Sequence, residues 1–290
     1  MIAKNDDFRK HPKVQRALGR FELFVLYTVL SLLAVWFVVP FFWLLTSSLK
    51  YPHELFSVPI QWLPSRIQFG NYERMFDLIP FMLYLRNTGI IVFFTIVGRV
   101  ISSCIVAYGF SRIDWPGRDK VFVIVLASMI LPFQVIMVPL YLQFQRFGWI
   151  GTFLPLTLTQ FFGHPFSIFL MRQFFMAIPR ELSEAAKIDG ANEFRVFWQV
   201  CIPLAKPAIA TVAIFSFMAA WNDFIGPLLF LTDRRLYTLS IGAHMIRSDI
   251  QPNWELLMAL GVIMVTPVLI IFFFLQKYFI QGIAMSGIKG

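Results

Sequence analysis

Long apolar stretches without charged residues are the feature that most limits what this chain can fold into. A helix needs about 20 apolar residues to cross the roughly 30 Å hydrocarbon core of a bilayer. The stretches that are long enough contain only two charged residues, Arg99 and Asp223. Six membrane-spanning helices are therefore predicted, at residues 23–46, 88–111, 121–145, 147–171, 207–232 and 256–276.

The composition agrees with a membrane protein and excludes several other classes. Of the 290 residues, 58% are hydrophobic and 14% are charged, whereas soluble domains carry about 25% charged residues. Two cysteines cannot build a disulfide scaffold or a cysteine-based zinc site. The four histidines lie far apart in the sequence, so no metal site is expected. We expect an all-α membrane protein that consists of one transmembrane domain.

Positive charges are divided unequally between the segments that join the predicted spans. If the N-terminus is cytoplasmic, 16 of the 25 Lys and Arg residues lie in cytoplasmic segments and eight lie in external ones. This excess follows the positive-inside rule, so both termini are expected in the cytoplasm. Residues 1–22 then form a basic tail whose expected partner is the lipid bilayer and not nucleic acid. Residues 172–206 form a cytoplasmic loop, and residues 277–290 form a second cytoplasmic tail.

Prolines and glycines mark places where the predicted spans can bend or end. A membrane bundle tolerates proline because neighbouring helices satisfy the freed backbone groups. The prolines inside the spans can be packing kinks or hinges of a gated pathway, and the sequence leaves both open. The gap at Arg146 and Gly148 is interpreted as a very short turn between the third and fourth spans. The prolines are Pro40, Pro132, Pro139, Pro155, Pro165, Pro227 and Pro267.

The cytoplasmic loop 172–206 contains the pattern of two short helices. Ser183 is expected to cap the first helix, and Gly190 is expected to end it because glycine adopts the left-handed conformation at little cost. A second helical stretch over residues 192–200 is expected to end at Ile202-Pro203. The small residues of the first helix would allow another protein to approach closely, although an ordinary surface loop can look the same.

Several motifs of the chain resemble those of one transporter family, the permeases of ABC importers. The loop resembles their EAA signature, which runs EAA, three residues, glycine, and nine residues later an I-x-L-P element. Other parts of the chain resemble the AYxFxR…PGR loop, the fifth-span W-N-(D/E) motif and the C-terminal ending of the carbohydrate branch. The matching residues are Glu184-Ala185-Ala186, Asp189-Gly190-Ala191, Pro203, Ala107-Tyr108, Arg112, Pro116-Gly117-Arg118, Trp221-Asn222-Asp223 and Gln276-Lys277-Tyr278-Phe279.

This resemblance, which is strongest to the maltose-type branch and its MalG-like subunit, implies a function. It implies the type I importer fold in the bacterial cytoplasmic membrane, a second homologous permease subunit and an extracytoplasmic binding protein that delivers a sugar. A dimer of ATPase subunits would bind ATP and Mg, since this chain has no P-loop and no ATPase site of its own. The residues implied to couple to the ATPase are Glu184, Ala185, Ala186, Asp189, Gly190, Ala191 and Pro203.

Three further groups of residues are weaker candidates. Arg99, Trp221, Asn222 and Asp223 are expected to line or gate the pathway, because charges inside a membrane are costly and usually functional. An Arg99–Asp223 ion pair is a hypothesis, and a structural hydrogen bond of Asp223 is the alternative. In the external loop 233–255 the candidates for contact with the binding protein are Tyr237, His244, Asn253 and Trp254, and a solvated lid is the alternative. In the C-terminal tail they are Gln281 and Lys289, which would reach the ATPase interface unless the tail is a frayed terminus.

A self-sufficient secondary transporter or channel is the main rival interpretation. Such carriers typically use intramembrane carboxylates and discontinuous helices near the membrane midplane. This chain has one carboxylate in its predicted spans, Asp223, and no internal repeat. A membrane enzyme is a third possibility, but no cluster of nucleophile and base is recognisable in the sequence. ATP dependence of transport distinguishes the importer from the secondary transporter.

Overall fold

The computed structural model of the protein describes residues 19–247 and 253–287, and for residues 20, 21, 275 and 277–287 it describes the backbone alone. Most of the predicted basic tail and Lys289 lie outside these residues. The described part contains helices and turns without any strand. Its α-helices are α1 Arg20–Ser47, α2 Gly70–Leu78, α3 Phe81–Ser111, α4 Arg118–Ala127, α5 Phe133–Arg146, α6 Leu154–Thr157, α7 Pro165–Ala177, α8 Arg180–Ile188, α9 Glu193–Val196, α10 Ile202–Leu204, α11 Lys206–Trp221, α12 Ile225–Phe230, α13 Leu239–Arg247 and α14 Trp254–Gly287.

Several helices are long and apolar enough to cross a membrane. Three do so as single helices: Glu22–Ser47, Phe81–Ser111 and Trp254–Phe274. Two pairs qualify only together and are bent at their junction, by 98° for Arg118–Ile130 with Phe133–Arg146 and by 76° for Glu193–Leu204 with Lys206–Trp221. Length and composition of the described helices therefore support three spans, or up to five if each bent pair is one span. The count of six and the cytoplasmic placement of both termini stay predictions.

The 98° bend in the third predicted span lies at Leu131 and Pro132. A residue before proline is disfavoured in the helical conformation, and Leu131 is accordingly extended, with a ψ of 113°. Pro132 is the N-cap of α5, so a new helix starts directly after the bend. Pro40, Pro139 and Pro267 instead lie inside α1, α5 and α14, each of which continues through its proline.

Residues 147–171, the fourth predicted span, are not one helix. Gly148, Gly151 and Gly163 have positive φ angles of 69°, 76° and 101°, and this backbone conformation interrupts a helix. The short helix α6 and a 3₁₀ helix, Leu158–Phe162, lie between these glycines, and α7 begins only at Pro165. The expectation of a very short turn near Arg146 was therefore wrong, because α6 does not start before Leu154.

The described chain consists of two compact units. Residues 19–73 with Trp254–Val262 form the smaller unit, and residues 74–247 with residues 263–287 form the larger one. In the larger unit α3 is the central helix and contacts α7, α11, α13 and the 3₁₀ helix that follows α6. Buried side chains near the C-terminal end of α3 pack against side chains of α7 and of the loop 172–206: Ala107, Tyr108, Phe175, Val196, Phe197 and Cys201.

The segment that follows α1 in the smaller unit is fixed by buried polar groups. Lys50 is fully buried, donates from Nζ to the Gln61 carbonyl at 2.6 Å, and lies 3.9 Å from the centre of the Trp43 ring. Asn71 Nδ2 donates to the carbonyls of Ser48 and Lys50, at 2.9 Å each. Since buried polar groups are costly without partners, these bonds stabilise the conformation of the segment 48–71.

Candidate functional site

The first helix of the loop, α8, begins earlier than Ser183. Ile178 is extended, with a ψ of 129°, as expected for a residue before proline. Pro179 is the N-cap, and its fixed φ of −53° leads directly into a helix that starts at Arg180. Ser183 therefore lies inside α8, where it is buried. The prediction that it caps the helix was wrong because the local geometry of Pro179 determines the start.

Gly190 ends α8 in the way that the sequence predicts. Its φ is +85°, and its backbone N–H donates to the Lys187 carbonyl at 3.0 Å. The N–H of Ala191 donates to the Ala186 carbonyl at 2.9 Å. These two bonds form a Schellman motif with Gly190 at the C′ position, which satisfies carbonyls that the helix leaves free. The chain thereby reverses within two residues and leads into the second helix of the loop.

The second helical stretch continues further than predicted. The Asn192 side chain caps α9 by accepting from the Arg195 backbone N–H at 2.9 Å. Residues Phe197–Cys201 then form a π-helical turn that leads into α10. Proline has no N–H to donate and its ring displaces the carbonyl four residues before it, so a widened turn ahead of Pro203 is a physically reasonable adjustment. The helix therefore passes through Pro203 and ends at Leu204, where the 76° bend to α11 follows.

A hydrogen-bonded chain of side chains ties the two loop helices to α3. Tyr108 Oη, on α3, donates to Glu193 Oε2 at 2.7 Å. Lys187 Nζ, on α8, donates to the other oxygen of the same carboxylate, Glu193 Oε1, at 2.5 Å. The Lys187 ammonium and the Tyr108 hydroxyl, as hydrogen-bond donors, lower the pKa of Glu193 below its ordinary value. The ionised carboxylate thus joins α3, α8 and α9 at a single point.

Arg112 fixes the start of the loop to the end of α3. Its Nη2 donates to the carbonyl of Phe175 at 2.6 Å and to that of Ile178 at 2.5 Å. The Phe175 carbonyl lies in the last turn of α7 and the Ile178 carbonyl directly follows that helix, where backbone carbonyls lack the usual helical partners. Positive charge at a helix C-terminus is also favourable electrostatically. Arg112 therefore holds the end of α7, and with it the entry to α8, against α3.

The loop has one face in the core and one face that is free. Ala186 and Ala191 pack against the buried cluster around Tyr108. Glu184, Ala185 and Asp189 are exposed. Three large apolar side chains of the same loop are also exposed, Ile188 by 86%, Phe194 by 73% and Trp198 by 60%. The loop thus presents apolar and charged side chains that nothing in the described chain covers.

The intramembrane charges bond to different partners. Arg99 Nε donates to Gln160 Oε1 at 2.8 Å, and Asp223 Oδ1 accepts from the Gly226 N–H at 3.1 Å. The two charges attract each other electrostatically, but within the described part of the chain no ion pair joins them. A Cβ on Gly226 would collide with the Asp223 carboxylate, so this glycine provides the space in which the carboxylate lies.

Residues 100–285 match the model of the family described as "binding-protein-dependent transport system inner membrane component". This match covers well over half of the chain. The chain belongs to this family. It is therefore a multi-pass inner-membrane permease component, a class whose ATPase is a separate subunit.

Two relatives align with most of this permease. It is 34% identical over 280 residues to the arabinooligosaccharides transport system permease protein AraQ of Bacillus subtilis, covering 95% of this chain and 98% of the relative. It is also 34% identical over 254 residues to the diacetylchitobiose uptake system permease protein NgcG of Streptomyces coelicolor, covering 87% of this chain and 84% of the relative.

A solved structure has the same fold. The crystal structure of a bacterial ABC transporter involved in the import of the acidic polysaccharide alginate contains a chain that aligns with a TM-score of 0.79 at 26% identity. The alignment covers 90% of this permease and 99% of that chain. The all-α fold of an ABC importer permease is thereby confirmed for this protein.

The remaining predicted residues lie at separate places. Trp221 is buried at the end of α11 and donates from Nε1 to the Met264 carbonyl at 3.0 Å, while Asn222 caps the same helix. Helix α13 lies within the segment that was expected to be a loop, and its exposed His244 ring lies 5.0 Å from that of Phe224. Tyr237 precedes α13 and is half-buried.

The last four candidates along the chain, two from the loop 233–255 and two from the C-terminal tail, lie partly outside the described residues. Asn253 and Trp254 directly precede or start α14, and the Trp254 ring lies 6.1 Å from that of Phe56. The backbone of Gln281 is helical, because α14 continues to Gly287. Lys289 lies outside the described part of the permease, so the role of the tail stays a prediction.

The AYxFxR motif is visible in the sequence, but the sequence does not indicate what its residues contact. Tyr108 and Arg112 contact the loop 172–206 through Glu193 and through the carbonyls before α8, at sequence separations of 63 to 85 residues. Only the shared spacing of both motifs with one family could have indicated this contact. The exposed apolar residues of the loop were also missed, since they look like core residues in a sequence that is apolar throughout.

Proposed function

We propose that this permease is one of two homologous membrane subunits of an ATP-driven importer of di- or oligosaccharides. Two ATPase subunits, which bind ATP and Mg, would dock on the pair, and an extracytoplasmic binding protein would deliver the sugar. The observation that carries the proposal is the loop 172–206, a rigid helical element with one face packed on α3 and one face uncovered. A loop of this form could transmit a movement of a soluble ATPase to the membrane helices.

The uncovered face of the loop supports docking of an ATPase. Contiguous exposed apolar side chains mark interaction sites in proteins, and Ile188, Phe194 and Trp198 are exposed by more than half. Ala185 is small, so a partner's groove can approach the backbone of α8 closely. The exposed carboxylates Glu184 and Asp189 would pair with basic residues of such a groove.

The attachment of the loop supports transmission of a movement to the membrane helices. Tyr108 and Arg112 both lie at the C-terminal end of α3 and bond to the loop helices or to their entry. A displacement of α8 by the ATPase would therefore act directly on α3, the central helix of the larger unit. In this way ATP binding would change the access of the pathway without an ATP site in this chain.

Docking can be tested by reversing the character of the uncovered face. Ile188→Asp and Phe194→Asp place a charge in an apolar contact without disturbing the core, because both side chains are exposed. Each variant should reduce co-purification of the ATPase with the permease by about tenfold or more, as expected when a central apolar contact of roughly 1.4 kcal/mol is lost. Val58→Asp is the matched control, since Val58 is 96% exposed outside this loop. Unchanged co-purification of both loop variants would reject the proposed docking face.

The polar groups within the membrane helices are proposed to line or gate the pathway. Arg99, Gln160 and Ser102 form a hydrogen-bonded group in which Ser102 Oγ donates to the Gln160 carbonyl at 3.2 Å. Asp223 lies at the break between α11 and α12 and is close enough to attract Arg99. Asn222, beside it, is exposed. Trp221 would support this group from its buried position and not contact a sugar itself.

The external residues are proposed to meet the binding protein. His244 is exposed on α13, while Tyr237, Asn253 and Trp254 are half-buried. Rings and amides of this kind suit contact with a protein that carries a sugar. At the other end of the chain, Gln281 and Lys289 are proposed to reach the interface between the ATPase subunits.

The substrate class is inferred from the relatives. The two relatives described above are named for arabinooligosaccharides and diacetylchitobiose, and another, 32% identical, is named for melibiose, raffinose and stachyose. All of these are carbohydrates of two or more units, which supports a di- or oligosaccharide for this permease. A thermal-shift screen of its binding protein against such sugars would identify the substrate, and stabilisation by a non-carbohydrate alone would reject the class.

A further inference from the structure

A small cavity lies where the end of α3, the start of α4, the end of α7 and the start of α8 meet. Its volume is about 90 Å³, which is room for a group of several non-hydrogen atoms. Four arginines from these four elements line it: Arg112, Arg118, Arg172 and Arg180. The cavity is separate from the docking face of the loop and from the intramembrane polar group described above.

The charges around the cavity do not balance. Asp114 pairs with Arg118 at 2.5 Å and with Arg180 at 3.7 Å, and Asp119 pairs with Arg172 at 3.0 Å. Two carboxylates thus face four guanidinium groups, which leaves an excess of two positive charges. Like charges held close together repel each other unless an anion lies between them.

One donor at this cavity is left without a partner. Arg112 uses Nη2 for the two carbonyls at the end of α7, while its Nε is buried and has no hydrogen-bond partner among the described atoms. An unsatisfied donor on a buried charged group is costly. The unbalanced charge of the arginines that line the cavity points to an anion at this place, whereas the Nε of Arg112 is occluded and does not face it.

Two of the other three arginines are held in position to receive such an anion. The Arg172 guanidinium lies 4.1 Å from the centre of the Phe122 ring, and its Nε donates to the Phe110 carbonyl at 3.2 Å. Arg118 is held by Asp114 at 2.5 Å, while the contact of Arg180 with Asp114 is longer, at 3.7 Å. Arginine forks match the oxygens of a phosphate group in geometry as well as in charge.

The surroundings of the cavity are those of a membrane surface. Trp115 is 37% exposed and donates from Nε1 to the Gly109 carbonyl at 3.1 Å, and tryptophans are enriched at the level of lipid head groups. Ile113, Val121 and Met176 nearby are exposed apolar side chains. A bound anion that continues into acyl chains would cover them.

We propose that the arginine cavity binds a phosphate group, either the phosphodiester of an anionic phospholipid or free phosphate. Basic pockets between membrane helices bind lipid phosphates in this way. Since the cavity joins α3 and α4 to the entry of α8, an occupant would stiffen the connection between the membrane helices and the loop 172–206. The proposal does not depend on the sugar or on the ATPase.

The experiment measures the melting temperature of the full chain in a neutral detergent during titration with one of three probes. The probes are short-chain phosphatidylglycerol, short-chain phosphatidylcholine and inorganic phosphate. Arg180→Gln removes one cavity charge from an exposed side chain, and should weaken binding about fivefold, the effect of roughly 1 kcal/mol per basic residue. Arg234→Gln, at an exposed arginine that does not line the cavity, is the control and should bind as the parent does.

Asp119→Asn is expected to tighten binding, a result that misfolding of the variant cannot produce. It removes one of the two competing carboxylates, so it should tighten binding by a similar factor of about five. Saturable binding of phosphatidylglycerol with these opposite shifts supports a lipid site, and the same shifts with inorganic phosphate alone support a site for the free anion. Equal affinities of the parent, Arg180→Gln and Asp119→Asn for both anionic probes would overturn the proposal, as would equal binding of phosphatidylcholine.

Discussion

Gly190 adopts a φ of +85° at the end of α8, a conformation that costs a residue with a side chain about 1–2 kcal/mol. A Cβ at this position would meet nothing within 4 Å. The requirement for glycine therefore comes from the backbone and not from lack of space. This distinction decides which substitutions the loop can accept.

Gly190→Val should uncouple transport while the membrane helices stay folded, because a β-branched residue is especially unfavourable at positive φ. Gly190→Asn should keep most of the activity, since asparagine tolerates this conformation. Uptake and ATPase activity of the assembled importer measure the effect, and the amount of assembled complex is the control. Normal uptake by Gly190→Val would count against the role of the Schellman turn in coupling.

Glu193 makes the attachment of the loop dependent on pH. Its pKa is lowered from the ordinary value of 4.5 by the donors Lys187 and Tyr108, so the folded state favours the ionised carboxylate. This contribution is fully present above the unfolded-state pKa and is lost as the pH falls through the folded-state pKa. The effect is modest because Lys187 and Glu193 are both about half exposed.

Tyr108→Phe should weaken this attachment and move the loss to higher pH, because one donor to the carboxylate is removed. A net loss of about 0.5–1.5 kcal/mol is expected for one hydrogen bond. Hydrogen exchange of the amides in α9, corrected for the intrinsic pH dependence of exchange, measures the opening of the loop. Tyr141→Phe, a change on α5 away from the loop, should leave the exchange unaltered, and equal exchange in both variants would contradict the Tyr108–Glu193 link.

At the scale of elements, the apolar stretches were predictable and their interruptions were not. Hydropathy locates α1, α3 and α14 because each is a continuous apolar helix. It does not distinguish Pro132, which lies at a 98° bend, from Pro139, which lies inside a helix. Whether a proline bends a helix depends on how neighbouring elements satisfy the backbone, and this information is not local in the sequence.

Two glycines of α3 differ in whether their neighbours leave room for a side chain. A Cβ at Gly98 would lie 2.8 Å from Phe161 Cδ2 and 3.0 Å from the Gln160 backbone, whereas a Cβ at Gly109 would meet nothing within 4 Å. Gly98→Ala should therefore destabilise the fold by about 1–3 kcal/mol through overpacking. Gly109→Ala should be neutral or stabilise it by up to about 1 kcal/mol. Thermal unfolding in detergent compares the two, and equal melting temperatures would contradict the close approach of α3 to the segment after α6.

At the scale of the whole molecule, the family resemblance could not show what its motifs contact. The bond between Tyr108 and Glu193 joins residues 85 positions apart, and the two carbonyls bound by Arg112 are 63 and 66 positions away. Such contacts depend on the tertiary packing of α3, α7 and the loop. The Arg99–Asp223 ion pair illustrates the opposite case, since complementary charges in predicted spans turned out to bond to other partners.

We infer that this permease transports only as part of an ATP-driven importer. The most direct measurement reconstitutes it in liposomes with its partner permease, its ATPase and its binding protein, and follows uptake of the sugar and hydrolysis of ATP together. We expect that uptake requires ATP and that the sugar-loaded binding protein stimulates hydrolysis. Ile188→Asp should reduce both uptake and hydrolysis, and Val58→Asp should reduce neither. Uptake by this chain alone, driven by an ion gradient without ATP, would contradict it.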